Sequence, residues 1–210
     1  MREFPYEQIV RDTRINRIFE GTNDILRLFI ALNAMEDVGQ NLQELAATLK
    51  DAFADPIKGF GVVRDYAWHR ASLATGIKRG HRVFTRLASE LRKEQEIFET
   101  GTRELASATD KLLRRHGKKI IEKQLATSRM ADIMIDLYVL AAVLSRVTAS
   151  IEKHGAEKVA REIQIAQAFA SRVERQVRVR VEEIDHNADE VVKALADHAF
   201  EVEKYSWDTI

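Results

Sequence analysis

Apolar residues recur along most of the chain at intervals of three and four, the period of an amphipathic α-helix. A first stripe follows Pro5, a residue suited to the first turn of a helix, and ends at Phe19. A short polar stretch interrupts the stripe, and Thr22 or Asn23 then supplies a good N-cap. A second helix is therefore predicted, with Asp24 in its first turn, where the helix dipole favours negative charge.

Glycine and proline predict where the next elements end. The second helix is expected to run to about Val38 and to stop or bend at Gly39, with a further turn or two to about Leu49. Residues 51–61 contain one proline and two glycines and are predicted to form a loop, followed by a helix over 62–74.

Three long helices are predicted in the remainder, over about 83–115, 118–153 and 156–205. Gly101 is a candidate kink in the first of them. The second is apolar almost all round over 130–144, so it should be the most buried member. That stretch contains two aspartates and is judged too short and too charged to cross a bilayer.

The predicted last helix carries a seam of the kind found in helical bundles and coiled coils, with one longer gap at Arg180. Its members are Val159, Ile163, Ala166, Ala170, Val173, Val177, Ile184, Ala188, Val191 and Leu195. The predicted fold class is therefore all-α: an antiparallel helical bundle, four-helix-bundle-like, preceded by a short helical unit. We divide the chain into 1–50, a glycine-rich connecting segment 51–82, and the bundle 83–210.

Composition narrows the class of protein. The chain is 45% hydrophobic and 31% charged, as is usual for soluble globular proteins. Its 33 basic residues balance 33 acidic ones, so charge gives no indication of a nucleic-acid partner. The absence of cysteine excludes disulfides, thiolate metal sites and a cysteine nucleophile. The first residues lack the apolar core of a signal peptide.

The stretch Arg11–Arg27, RDTRINRIFEGTNDILR, carries the most specific pattern in the chain. It resembles the terminal signature of acyl-CoA dehydrogenases, R-D-x-R-I-x-x-I-(F/Y)-E-G-T-x-(D/E)-I-x-R. A looser likeness in length and helix order, including residues 120–150, is similar to the extension that very-long-chain members carry after their catalytic domain. In that family a glycine-rich turn precedes the segment, and it is missing here. Met1 is therefore interpreted as an internal position of a longer parent chain or an engineered start.

The resemblance implies a role for each residue of the E-G-T turn. Glu20 would be the base that removes the α-proton of an acyl thioester while a flavin takes hydride from the β-carbon. Gly21 would let the backbone approach the substrate, and Ile18 and Phe19 would form part of a dry apolar wall. The residues that would lie against the flavin nucleotide are Thr22, Asn23 and Asp24. The alternative is that Glu20 is an ordinary polar residue beside a helix cap.

For the whole protein, the resemblance implies a FAD-dependent acyl-CoA dehydrogenase of fatty-acid β-oxidation. Acyl-CoA would be its substrate, an electron-transfer flavoprotein its electron acceptor, and a homodimer its assembly. Because the flavin-holding sheet domain is missing, this C-terminal fragment alone is expected to bind no flavin and to be inactive. The implied location is cytoplasmic in a bacterium, at times peripheral at the inner membrane, and mitochondrial in a eukaryote, with any transit peptide outside this chain. The alternative is a non-enzymatic helical module, for dimerisation or membrane docking, that retains the motif.

Two other patterns have ordinary structural interpretations. Arg11, Asp12 and Arg14 are expected to form ion pairs that hold the first helix to its neighbours. With Arg17, they form a phosphate-binding cluster in the less favoured interpretation. A di-iron site needs Glu-x-x-His on two helices, and only Glu183-x-x-His186 has that spacing, so no metal site is predicted.

The segment 57–86 is strongly basic in an otherwise neutral chain. Seven basic residues stand against one acid, Asp65. The basic residues are Lys58, Arg64, Arg70, Lys78, Arg79, Arg82 and Arg86, and the interleaved aromatic residues are Phe60, Tyr66, Trp68 and Phe84. Such a segment can lie on an anionic membrane surface, and very-long-chain members resemble this in being peripheral membrane proteins. The equally weighted alternative is that the aromatic side chains pack inward and the basic ones are solvated.

Overall fold

The computed structural model describes residues 5–54 and 86–204. The α-helices are α1 (Tyr6–Thr13), α2 (Asn23–Ala54), α3 (Arg92–His116), α4 (Gln124–His154), α5 (Ala160–Glu182) and α6 (Asp189–Val202). Short 3-10 turns occupy Ile15–Arg17, Ser89–Leu91 and Gly117–Glu122. The described ranges contain no β-strand, in agreement with the predicted all-α class.

Helices α3, α4 and α5 pack against one another, and α2 packs along α4. The connections from α3 to α4 and from α4 to α5 are only a few residues long, which makes consecutive helices antiparallel neighbours. The predicted antiparallel bundle is thus confirmed. Among the described residues, the largest fully buried apolar side chains are Met35, Leu91, Leu112, Met130, Ile133, Leu140, Leu144, Val173 and Val177.

Helix α4 supplies more buried residues than any other helix among the described ranges, as its apolar sequence predicts. Its length and composition would suffice for a membrane span, contrary to the sequence-based expectation. A central helix of a water-soluble bundle meets the same criteria, however. Here α4 packs against α2, α3 and α5, and its Asp132 and Asp136 form ion pairs with arginines of neighbouring helices.

The predicted single helix over 156–205 is wrong, because the chain turns between α5 and α6. Asn187 lies at this break. Its side-chain amide donates to the carbonyl oxygen of Glu183 at 2.7 Å, while its side-chain oxygen accepts from the backbone N–H of Asp189 at 3.1 Å. Such side-chain bonds to the backbone compete with continuation of the helix and favour a new start.

The bundle seam consequently ends at Ile184, which is buried. In α6 no residue is buried, and the predicted seam positions Val191 and Leu195 are 61% and 56% exposed. Polar contacts hold the start of α6 instead. Arg129 of α4 donates to both carboxylate oxygens of Asp189, at 2.6 and 2.7 Å.

Several predicted boundaries also change. The first helix ends at Thr13 instead of Phe19, and the Thr13 hydroxyl donates back to the carbonyl oxygen of Ile9 at 2.7 Å. Gly39 neither stops nor breaks α2, which continues to Ala54 into the predicted loop.

The helix predicted from residue 83 begins as an α-helix at Arg92 and passes Gly101 without interruption. The predicted helix 62–74 lies outside the described residues, as does the basic segment 57–86 except for Arg86, which is exposed.

Candidate functional site at the E-G-T turn

The E-G-T turn reverses the chain between α1 and α2. After the 3-10 turn, the backbone N–H of Phe19 donates to the carbonyl oxygen of Ile15 at 3.0 Å. The next two residues, Glu20 and Gly21, have φ angles of 56° and 108°. A left-handed conformation is ordinary for glycine but costs other residues about 1–2 kcal/mol. Backbone strain of this kind is concentrated at functional sites, which makes Glu20 a candidate on geometry as well as on sequence.

Thr22 caps the N-terminus of α2. Its Oγ1 accepts from the backbone N–H of Ile25 at 3.4 Å, and its carbonyl oxygen accepts from the N–H of Leu26 at 2.9 Å. Of the two predicted caps, the structure therefore selects Thr22. Asp24 lies in the first turn of α2, as predicted. Glu20 is thus placed directly before the positive end of a helix dipole.

Glu20 is exposed and lies among exposed apolar residues. The side chains of Ile18 and Phe19 are 74% and 53% exposed, so they do not enclose the carboxylate within the described part of the chain. The large exposed apolar residues of this region are Tyr6, Ile9, Val10, Ile15, Ile18, Phe19, Ile25, Leu26, Phe29 and Ile30. So many exposed apolar side chains within the first thirty residues indicate a surface that contacts another protein surface or a ligand.

The first turn of α2 is tied to α4 by Arg27. Its Nε donates to Asp132 Oδ1 at 2.7 Å, and its Nη1 donates to the carbonyl oxygen of Asn23 at 3.3 Å. The hydrogen bond to Asp132 raises the pKa of Arg27 above its usual value, and burial opposes this only in part. No local sequence pattern predicts this pair. The available signal was a pair of aspartates four residues apart, Asp132 and Asp136, in the most apolar helix.

The arginine cluster of α1 behaves differently from the prediction. Arg11 forms an ion pair with Glu7 of its own helix at 2.6 Å, and both side chains are largely exposed. Among the ion pairs of the described ranges, none joins Asp12 or Arg14 to another helix. Within the described ranges, then, the first helix is not held to its neighbours by these residues, and Arg11 pairs within its own helix instead.

Glu183, one half of the Glu-x-x-His pattern, lies 3.2 Å from Arg129 Nε and so takes part in an ion pair. The part of the chain that the structure describes holds no cluster of three His, Cys, Asp or Glu residues suited to a metal ion.

A family model described as the C-terminal domain of ACAD9/ACADV matches residues 89–205, more than half of the chain. The chain belongs to this family. Very-long-chain-specific mitochondrial acyl-CoA dehydrogenases of Bos taurus and Homo sapiens are each 37% identical to it over 153 residues. These alignments cover 73% of this chain but 23% of each relative.

The probable acyl-CoA dehydrogenase FadE10 of Mycobacterium tuberculosis is 30% identical over 98% of this ACAD9/ACADV-type chain and 31% of the relative. A solved acyl-CoA dehydrogenase complexed with FAD from Bacillus anthracis superposes with a TM-score of 0.61 at 19% identity. It covers 99% of this chain and 32% of that one, and it supports the fold. The chain thus spans about a quarter to a third of the length of these proteins, and the predicted acyl-CoA dehydrogenase C-terminal portion is confirmed.

Proposed function

We propose that this chain is the C-terminal part of a FAD-dependent acyl-CoA dehydrogenase acting on long fatty acyl-CoA thioesters, and that Glu20 is its catalytic base. The observation that carries this is the conformation of Glu20: an exposed carboxylate in a strained turn, flanked along the sequence by exposed apolar residues. Family membership supports the reaction class.

In this proposal the carboxylate of Glu20 accepts the α-proton of the thioester. Gly21 follows Glu20 in the chain at φ 108°, a backbone conformation that residues with a side chain rarely adopt. Because glycine has no side chain, the backbone at this position would stay accessible to a bound acyl group. The exposed side chains of Ile18 and Phe19 would exclude water once a substrate covers them, and a base works best in a dry site.

The start of α2 fits contact with a flavin nucleotide. Backbone N–H groups at the first turn, around Thr22 and Asn23, suit an oxygen-rich ligand. The exposed carboxylate of Asp24 can only accept hydrogen bonds when ionised, so it fits a hydroxyl or amide donor and not a phosphate. FAD, when bound, would supply the acceptor for the β-hydride. Thr22, Asn23 and Asp24 would hold part of it.

We assign the exposed apolar surface of α1 and the start of α2 to contact with the remainder of a catalytic domain. The relatives are about three times as long as this chain, which leaves ample sequence to cover that surface. Residues 1–50 would then complete the catalytic domain, 51–82 would connect, and 83–210 would form the extension. The fragment alone is expected to be inactive and free of flavin, because too few of the contacts that hold a dinucleotide are present.

The test is Glu20→Gln in the dehydrogenase that contains this chain. Glutamine keeps the shape of the side chain but cannot accept the proton, so turnover should fall by about 10²–10⁴-fold or more. Flavin content and acyl-CoA binding should stay near normal. Glu7→Gln, an exposed glutamate of α1, is the matched control and should leave turnover unchanged. Near-normal kcat in the Glu20 variant would place the base elsewhere.

We also propose that the assembly is a homodimer that passes electrons to an electron-transfer flavoprotein, and that residues 57–86 meet an anionic membrane. If the protein is bacterial, it would be cytoplasmic or peripheral at the inner membrane; if it is eukaryotic, it would be mitochondrial. Relatives of both origins support the two options.

Co-sedimentation with anionic vesicles tests the membrane contact, with Arg64, Arg70, Lys78 and Arg79 changed to Gln as the control. Each basic residue near such a surface contributes about 1 kcal/mol. Binding should therefore be clear at low salt, weaken as salt is raised and be lost in the variant. If the native chain stays in the supernatant with lipid in excess, residues 57–86 only connect the two helical units.

A further inference from the structure

We propose that Asp132, a residue of the extension, is a positioning residue for the E-G-T turn. It would act through Arg27 on the first turn of α2, and so on the backbone that follows Glu20. This inference rests on the proposed role of Glu20 for its functional meaning. The structural part, that the extension holds the turn in place, stands on contacts among described residues.

The burial pattern along α2 shows why one contact matters. None of residues 23–30 is buried, and the first buried residue of α2 is Ala31, followed by Met35. Ala31 lies eight residues, or about 12 Å of helix, beyond Asn23. Among the apolar residues of these first two turns, only Leu28 is even half-buried. Full apolar burial of α2 therefore begins in its third turn, and the two turns next to Glu20 rely more on polar contacts.

Arg27 supplies such a contact, because it bonds both to α4 and to the first residue of α2. Its Nε donates to Asp132 of α4 at 2.7 Å, while its Nη1 donates to the carbonyl oxygen of Asn23 at 3.3 Å. The guanidinium is a rigid planar fork, so bonds from two of its nitrogens fix its orientation. Asn23 directly follows the cap residue Thr22. The carboxylate of Asp132 is thereby linked, through one side chain, to the start of the helix that Glu20 precedes.

Asp132 is itself held in place. The Nη2 atom of Arg180, in α5, lies 3.7 Å from Asp132 Oδ2. The Nη1 atom of the same arginine donates to Asp136 Oδ2 at 2.5 Å. The side chains of Arg27, Asp132 and Arg180 are 31%, 28% and 20% exposed, so solvent screens these charges less than it screens a surface pair. The resulting series of ion pairs joins α2, α4 and α5.

Two aspartates on the same helix provide a matched comparison. Asp132→Asn weakens the contact with Arg27, whereas Asp136→Asn removes a partner of Arg180 and leaves the Arg27–Asp132 pair in place. The readout on the isolated chain is hydrogen exchange of the backbone N–H groups of residues 25–27, measured against those of α4. We expect exchange about fivefold faster or more in Asp132→Asn, with α4 unchanged, and no change in residues 25–27 for Asp136→Asn.

A double-mutant cycle distinguishes loss of the Arg27–Asp132 contact from a general loss of stability. Arg27→Gln and Asp132→Asn should each accelerate exchange at the start of α2, and the double variant should be no faster than either alone. Additive effects, equal acceleration in α4, or the same effect from Asp136→Asn would overturn the positioning role.

In the complete dehydrogenase, Asp132→Asn should lower kcat more than it raises KM. The Glu20 carboxylate would still be present, but its position would be less well defined. The two proposals can fail separately. Normal turnover of Glu20→Gln rejects the catalytic role of Glu20 and leaves the exchange result intact. A large loss in Glu20→Gln with unchanged exchange in Asp132→Asn rejects the positioning role alone.

Discussion

Gly101 of α3 lies directly against Leu137 of α4. A Cβ atom built on the glycine would stand 2.8 Å from Leu137 Cδ2, closer than real Cβ contacts allow. Glycine inside a helix costs about 0.5–1 kcal/mol relative to alanine, and α3 nevertheless continues through it without a break. The glycine therefore serves the close approach of α3 and α4 and not the kink that the sequence suggests.

Gly101→Ala should accordingly lower the free energy of unfolding, by about 1–3 kcal/mol, although alanine favours helix. Combining it with Leu137→Val should recover part of the loss, since the shorter side chain withdraws the clashing methyl group. Gly39→Ala is the control: Gly39 lies in the interior of α2, and a Cβ atom there would meet nothing within 4 Å, so the variant should gain about 0.5–1 kcal/mol. Urea unfolding measures all three, and a stabilised Gly101→Ala would contradict the packing argument.

Glu94 is a buried carboxylate in the first turn of α3. It is 4% exposed, and its Oε2 has no hydrogen-bond partner among the described residues. The positive end of the helix dipole offsets only part of the cost of burying it. Glu94→Leu should therefore raise the free energy of unfolding by about 1–3 kcal/mol. The exposed Glu96→Leu should change it by less than about 0.5 kcal/mol, and equal values for the two variants would show that the burial of Glu94 carries no penalty.

We expect Arg129 to stabilise α6 and to contribute little to the stability of the bundle formed by α3, α4 and α5. It binds Asp189 through two hydrogen bonds, and α6 has no buried residue to replace that contact. Arg129→Gln is expected to accelerate hydrogen exchange throughout α6, while exchange in α4 and α5 changes little. Arg146→Gln, an exposed arginine of the same helix, is the control. Parallel acceleration in α5 would mean that α6 supports the bundle after all.

Acid should weaken the junction between α3 and the turn before α6. Asp185 accepts hydrogen bonds from Lys111 and from Arg115, the latter at 2.6 Å, and both hold the pKa of Asp185 below its usual value. A carboxylate with a depressed folded-state pKa stabilises the fold above the ordinary value of about 4, and this contribution is lost as pH falls through the lower value. Asp185→Asn should therefore flatten the loss of stability below about pH 4 in urea titrations. Lys111→Gln should flatten it partly, and an unchanged slope in both variants would refute the assignment.

Periodicity predicted the bundle well where packing alone decides. The seam positions Ala166, Ala170, Val173 and Val177 of α5 are all buried, because spacing by three and four places them on one face. Helix ends were predicted less well. The break before α6 depends on side-chain bonds from Asn187 to the backbone, and a seam pattern continues through it undisturbed.

The candidate site likewise has features that the sequence predicts and one that it does not. The turn, the cap at Thr22 and the first-turn acid at Asp24 follow from local residue types and were predictable. The bond from Arg27 to Asp132 joins residues 105 positions apart, and no local pattern fixes which arginine an aspartate of α4 will meet. Tertiary packing alone brings them together.

The left-handed backbone at Glu20 has an evolutionary consequence. Glycine would occupy φ 56° without the steric cost that glutamate bears there, and one nucleotide separates their codons. The carboxylate of Glu20 has no hydrogen bond or ion pair within the described ranges that would be lost in the exchange. Within the described ranges, folding therefore supplies no contact that favours glutamate at this position, and the backbone slightly disfavours it. Only the chemistry of the carboxylate would preserve it, and a lineage that moved this chemistry elsewhere could lose Glu20 in a single step.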